Sequence, residues 1–189
     1  MPARPTASPT ARPPRRTPEE ILLAAGVAFT VHEHEPVRTY AEGVARLPFP
    51  PGAMVKTLAL ETGGELVLAA LLAADRVHFG KLARALGVGR SSLNAVSEAA
   101  LDVELGFEVG AVSLLTDFPA ACLVDEAVLS LGTVFAGSGR TDRTIELSAA
   151  DLVRVSGATV GELVGSLPSA GPAGPPAGAA GSPGAAPSL

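Results

Sequence analysis

Residues 54–72 decide how this chain folds. They read Met54-Val55-Lys56-Thr57-Leu58-Ala59-Leu60, then Thr62-Gly63-Gly64, then Glu65-Leu66-Val67-Leu68-Ala69-Ala70-Leu71-Leu72. Two runs of strand-forming length joined by a glycine pair are a β-hairpin signature. Strands are predicted over 53–60 and 65–72. The second is apolar at nearly every position, as a strand covered on both faces must be, so it is expected at the centre of a sheet. The first carries a lysine. A strand period of two puts Met54, Lys56, Leu58 and Leu60 on one face. An ammonium among three large apolar side chains is costly unless it finds a partner, an acid or an anionic ligand such as a phosphate. It can also lie at a strand end and reach water along its stem. The pattern alone leaves both open.

Upstream of the hairpin, Thr17-Pro18-Glu19-Glu20 starts a helix with a capping residue, a proline in the first turn and a glutamate at the capping-box position. Gly26 ends it, and a strand is expected over 28–34. Thr39-x-x-Glu42 opens a second short helix that must stop before Pro48, with a proline-rich loop over 49–52. Downstream, a helix is predicted over 77–86 with Gly87 as its stop. Ser97 caps another that runs to Gly106, and a glycine-bearing loop follows over 106–115. Three strands are predicted over 120–125, 133–136 and 143–147. Ser148-x-x-Asp151 and Thr159-x-x-Glu162 each read as a helix start, the first stopped by Gly157. Neighbouring strands with helices between some of them imply an α+β fold with a mixed, largely antiparallel sheet.

The ends differ from the middle. Residues 1–16 hold four arginines and no acid, and residues 165–189 hold no charge. Both are rich in Pro, Gly, Ala and Ser and lack the large apolar residues that offset ordering entropy. A disordered basic arm over 1–16, one domain over 17–164 and a disordered tail over 165–189 are therefore expected. Within 17–164, ten basic residues face nineteen acidic ones, a net of −9. A domain so acidic is a poor general nucleic-acid binder, so any such contact is local, helped by the arm. No DNA or membrane partner is expected. The single cysteine, Cys122, can form no intrachain disulfide, and a reducing, cytoplasmic setting fits.

Several residues could carry chemistry. Only Lys56 and Lys81 among the fourteen basic residues are lysines, which draws attention to both. The segment 106–113, Gly-Phe-Glu-Val-Gly-Ala-Val-Ser, can hold a ligand by its main chain, or it can be a plain helix stop and turn. Ser113 lies in no nucleophile elbow. His32 and His34 share a strand face but lack a third metal ligand at diagnostic spacing. Cys122, in an apolar run, reads as a small buried hydrophobe. Gly137-Ser138-Gly139 leads into a strand and reads as a hairpin turn. Lys81 and Arg84, one helical turn apart, form a solvated face or a small phosphate-contacting patch.

Taken together, 34–39, 54–58, the helix around 81–87, the loop 106–113, Phe135-Ala136-Gly137-Ser138-Gly139, Ile145-Glu146-Leu147 and Asp151-Leu152 resemble the YbaK/EbsC family and the related editing domain of bacterial prolyl-tRNA synthetases. The resemblance spans essentially 18–164. It implies a sheet curled around a small pocket and hydrolysis of a mischarged aminoacyl-tRNA, with tRNA-Pro carrying Ala or Cys as the expected substrate. It implies that Lys56 holds the phosphate of the terminal adenosine and that the loop from Gly110 positions substrate or water. Gly106, Ala111, Val112, Ser113, Gly137 and Ser138 are the expected substrate contacts, and Lys81 and Arg84 the outer tRNA contacts. No metal or cofactor is expected. Aminoacyl-tRNA is the expected partner, and an aminoacyl-tRNA synthetase a second one. One departure stands out: the family's G-x-x-x-P reads Gly110-Ala111-Val112-Ser113-Leu114 here. Proline at that point would fix φ and remove a donor. Its absence favours the alternative of a non-catalytic binding or regulatory protein.

Overall fold

The computed structural model describes residues 15–165. Helix α1 (Pro18–Ala24) starts at Thr17, whose hydroxyl accepts from Glu20 N while the Glu20 carboxylate accepts from Thr17 N, a complete capping box. Gly26 ends it at φ +66°. Strand β1 (Phe29–Glu33) follows. Helix α2 (Tyr40–Arg46) is capped by Thr39, but Glu42 turns to the amide of Arg38 instead of that of Thr39. A single 3-10 turn (Pro51–Ala53) leads into β2 (Val55–Thr62).

Strands β2 and β3 (Glu65–Leu72) pair antiparallel from Thr62↔Glu65 to Val55↔Leu72. Gly63 and Gly64 make the two-residue turn with φ of +59° and +83°, the backbone that a tight hairpin asks of both positions. Then come α3 (Phe79–Leu86), capped by His78, the short β4 (Asn94–Ala95), and α4 (Glu98–Ala100), which continues as a wider turn, Leu101–Leu105. The rest is β5 (Ala120–Asp125), α5 (Glu126–Leu129), β6 (Thr133–Gly137), β7 (Arg143–Ser148), α6 (Ala149–Ser156) and β8 (Thr159–Gly161).

The architecture is α+β, but the strands divide between two sheets that do not close on each other. One is antiparallel, in the order β1-β7-β6; the other is mixed, in the order β4-β2-β3-β5-β8. They meet at a bridge between Met54 and Phe135. Strand β3 is central, as its apolar run requires. Leu66, Leu68 and Ala70 enter the main core with Leu22, Val124 and Ile145, while Val67 and Ala69 enter a smaller cluster with Leu82 and Leu163. The expected helix after Thr159 is not formed. Residues 159–161 instead pair in parallel with β5, and the Asp125 carboxylate accepts from the amides of Leu163 and Val164. Pairing with a buried strand overrides a local capping signal. The expectations for 1–14 and 166–189 lie outside the described residues. Arg15 and Arg16, assigned to the arm by composition, lie against Phe118 and Asp117.

Candidate active site

A cavity of about 300 Å³ opens where the two sheets meet. Its frame is main chain. Three loop segments, at 37–38, 108–112 and 137–142, are tied to one another. Glu108 N donates to Gly139 O (2.9 Å), Gly139 N to Ala111 O (2.8 Å), and Val37 N to Thr141 O (2.8 Å). The Glu108 carboxylate accepts from both the amide and the hydroxyl of Thr141, at 2.8 and 2.6 Å. These donations are the main reason that its pKa lies below the usual carboxylate value.

Two glycines make this approach possible. Gly110 sits at φ +91°, and a Cβ on it would lie 2.4 Å from Arg38 O. A Cβ on Gly137 would lie 2.6 Å from Val112 O and 2.9 Å from Ala111 O. Neither position can take a side chain without moving backbone. Gly110 and Val112 both line the cavity, and their amides donate to no acceptor among the described residues.

Lys56 lines the same cavity. Its ammonium donates to the main-chain oxygens of Ala73 (2.9 Å) and Asp75. Among the described residues its bonded partners are a pair of neutral carbonyls just past the end of β3 and no carboxylate. They orient the charge without cancelling it, and one of the three N–H donors is left over. Burial lowers its pKa; the Asp75 carboxylate opposes that shift and Arg76 adds to it.

The charge of the lining is unlike that of the chain. Arg38, Lys56, Arg140 and Arg143 line the cavity, and no acidic residue does. Arg140 is paired with Asp142 and lies near Glu108, and Arg143 lies 3.5 Å from Glu33. The side chain of Arg38 has no ion pair or hydrogen bond among the described residues. The lining also holds apolar side chains, among them Val37, Leu47, Met54 and Leu58.

Of the residues singled out from sequence, Lys56, Gly110, Ala111, Val112 and Gly137 come together on this cavity; Gly106, Ser113 and Ser138 do not line it. Gly106 is the left-handed stop of the helix before the loop. Ser113 is buried and accepts from Leu115 N. The Ser138 hydroxyl, also buried, donates within its turn to the carbonyls of Arg140 and Arg143. Lys81 and Arg84 lie on α3, away from the lining, and Lys81 is bonded to the Glu162 carboxylate and to Val164 O.

His32 pairs with Glu146 at 2.7 Å, and both ring nitrogens of His34 are engaged, by Glu35 O and the Thr144 hydroxyl. No group of three metal-ligating side chains is present among the described residues. Cys122 is half-buried, and burial pushes its thiol pKa up, the wrong direction for a nucleophile. Sequence reasoning missed Arg38, Arg140 and Arg143 as site residues. Arg38 falls inside the family-like stretch 34–39, Arg140 directly follows the Gly-Ser-Gly turn and Arg143 lies three residues further on; nearness to a glycine turn was the only signal for the last two.

A family model of the aminoacyl-tRNA editing domain matches residues 34–155. Solved structures share the fold. A scaffold protein from work on epitope backbone grafting is 26% identical, with a TM-score of 0.69 over 79% of this chain and 96% of that one. A hypothetical protein is 26% identical, with a TM-score of 0.69 over 77% and 97%. A candidate trans-editing enzyme for prolyl tRNA synthetase is 24% identical, with a TM-score of 0.65 over 72% and 87%; at that identity the likeness is one of fold. No helix among the described residues is long and apolar enough to cross a membrane.

Proposed function

The chain belongs to the family of aminoacyl-tRNA editing domains, and from that premise we propose that it is a deacylase that hydrolyses the ester between a wrong amino acid and the 3′ adenosine of a tRNA. The observation that carries this reading is the reversal of charge at the cavity. A domain with a net of −9 lines this cavity with Arg38, Lys56, Arg140 and Arg143 and with no acid. Such a lining suits a polyanion whose end must enter a small space.

The roles follow from the frame. Lys56, held by two carbonyls, offers its remaining donor to the phosphate of the terminal nucleotide. The unpartnered amides of Gly110 and Val112 stabilise the oxyanion that forms when water adds to the ester carbonyl. Collapse of that intermediate releases the amino acid and a free 3′-terminal hydroxyl. Positioning by a rigid main-chain frame supplies the catalysis, with no protein nucleophile. Of the outer phosphate contacts expected on α3 we retain Arg84, because Lys81 is already held by Glu162 and Val164. Alanyl- or cysteinyl-tRNA-Pro is the proposed substrate, prolyl-tRNA synthetase the enzyme whose errors it would correct, and the cytoplasm its place.

A second reading, a binder that does not cleave, is favoured by Leu114, which stands where the related loops carry proline. The test is to incubate the purified protein with tRNA-Pro charged with alanine, cysteine or proline, and with mischarged tRNAs of other identities, and to follow loss of the ester. Loss of alanyl or cysteinyl ester with prolyl ester spared supports the proposal. Binding of every tRNA with loss of no ester replaces it with the second reading.

A further inference from the structure

The main-chain frame leaves one proton without a destination. Water that adds to an ester carbonyl must give up a proton, and amides, guanidinium groups and a charged ammonium only donate. The cavity lining holds no carboxylate. Its side-chain acceptors are the hydroxyls of Thr39, Tyr40, Thr57, Thr141 and Thr144 and the imidazole of His34. Imidazole is the side chain that changes charge near neutral pH.

The partners of His34 fix its ring in one tautomer. Nδ1 lies 2.9 Å from Glu35 O, a carbonyl that can only accept, so Nδ1 carries the hydrogen. In the neutral ring Nε2 is then bare, and the Thr144 hydroxyl, 2.9 Å from it, must donate. Thr144 Oγ1 makes no other hydrogen bond among the described residues, so its lone pairs are open to a donor. Thr144 lies on β7 and His34 just past the end of β1, and the pairing of these strands holds the two together. Hydroxyl, base and orienting carbonyl follow in the order that prepares a hydroxyl to lose its proton. The hydroxyl of Thr141 differs. It donates to the Glu108 carboxylate, which also accepts from Thr141 N and is made a weaker base by both bonds. The other two histidines do not line the cavity: His32 is paired with Glu146, and His78 accepts from Lys81 N as a helix cap.

We propose that Thr144 and His34 form a proton relay for the attacking water, an inference that rests on the deacylase reading for the reaction it serves. The water donates to Thr144 Oγ1, and its oxygen forms the bond to the ester carbonyl carbon. As that bond forms, the water's proton passes to Oγ1 and the hydroxyl's own proton passes to His34 Nε2. The Glu35 carbonyl steadies the imidazolium through Nδ1–H. When the intermediate collapses, the bond from the carbonyl carbon to the ribose oxygen breaks, and a proton returns through the hydroxyl to that oxygen. One proton enters the pair and one leaves it, and neither residue is acylated.

The test takes the mischarged tRNA that the wild type cleaves fastest. It compares kcat, KM and pH profile among wild type, Thr144→Val, Thr144→Ser, His34→Gln and the Thr144→Val, His34→Gln double variant, each checked for folding by thermal unfolding. Valine keeps the shape of threonine without the hydroxyl, and glutamine keeps an acceptor that takes up no proton. Thr144→Val and His34→Gln are each expected to lower kcat about a hundred-fold, with KM little changed. Thr144→Ser is expected to retain most of the rate. The double variant is expected to be no slower than the slower single one, because the two act as a unit. A protonated His34 cannot accept, so the wild-type kcat/KM should fall toward acid pH. That limb is expected to vanish in His34→Gln and to persist in His32→Gln. The other titratable and charged groups around the pair are Arg38, Tyr40, Lys56, Arg140 and Arg143 in the lining, with Glu33, Glu35, Asp142 and Glu146 close by in sequence. All are common to both variants, so the difference between the two profiles isolates His34. If Thr144→Val does not fold, His34→Gln and its profile decide alone. Wild-type kcat in a folded single variant, losses confined to KM, or an acid limb that survives in His34→Gln would overturn the relay and leave the deacylase reading in place. Loss of no ester by the wild type removes both.

Discussion

The two lysines of this chain sit in corners built from similar parts toward different ends. Lys56, at the start of β2, is bonded to two main-chain carbonyls and lines the cavity. Lys81, on α3, is bonded to one carbonyl and to the Glu162 carboxylate, and lies away from the cavity lining. Both are half-buried, and both tie one segment to another. At Lys81 the charge is cancelled by a carboxylate and the contact ends there. At Lys56 it is aimed but not cancelled, because carbonyl oxygens carry only partial charge. The two corners differ in whether a carboxylate is bonded to the ammonium, more than in burial or number of bonds. The Asp75 carboxylate acts on Lys56 through space with no bonded ion pair, and a ligand phosphate would supply one.

The largest expected effect is on ester hydrolysis. Lys56→Ala is expected to reduce it by about ten-fold or more, since a charge-assisted contact is worth roughly 1.5–3 kcal/mol. Lys81→Ala is expected to stay within about two-fold of wild type. Equal losses in rate assays of the two folded variants would break the comparison. Stability should rank the same way. Lys56→Ala leaves the carbonyls of Ala73 and Asp75 without their donor and is expected to cost about 1–3 kcal/mol in urea unfolding. Lys81→Ala loses a pair whose glutamate is 58% exposed, worth about 0–1 kcal/mol.

A third and smaller difference is in pH dependence. With its pKa lowered from 10.5, Lys56 loses its charge at lower pH than an ordinary lysine. Binding of uncharged tRNA should therefore weaken along an alkaline limb that begins below 10.5, and the limb should vanish in Lys56→Ala and persist in Lys81→Ala. For stability the sign is the reverse of a stabilising ion pair: the buried charge is a burden below the folded pKa, and the burden lifts as pH rises through it. The smallest difference is in salt. Raising ionic strength should leave the stability cost of Lys56→Ala nearly unchanged and shrink that of Lys81→Ala further.

Legibility in the sequence tracked how local each determinant is. The Gly63-Gly64 turn, the Thr17, Ser97 and Ser148 caps and the glycine stops at 26, 87, 106 and 157 act within a few residues of themselves, and the elements they bound appear where expected. The strand at 159–161 was hidden, because its cause is β5, far away in the chain. In the site, Lys56 was visible as a charge out of place on an apolar face, and Gly110 and Gly137 as loop glycines. The cationic lining was not, because Arg38, Arg140 and Arg143 look like any solvated arginine until the fold gathers them. Leu114 shows the limit of resemblance. As a replacement for proline it favoured a non-catalytic protein, yet it is 2% exposed and packed in the main core. Leu114→Pro is expected to cost about 2–5 kcal/mol of stability for the lost packing, which thermal unfolding would read.

The antiparallel sheet has one further consequence, for the order in which the molecule comes into being. The β2–β3 hairpin closes through two residues and can form as soon as it is synthesised. Among the described residues strand β1 pairs only with β7, and a contact such as His32 to Glu146 joins residues 114 apart. Closing so long a loop is slow and must await the arrival of 143–148. The cavity needs 34–38 from one side of that pairing and 137–144 from the other, so it is among the last features to assemble. A nascent or nicked chain missing β7 would keep its hairpin and have no pocket. In hydrogen exchange, the amides of Val37 and Gly139 should open together with β1 and β7, whatever protection the buried β3 retains.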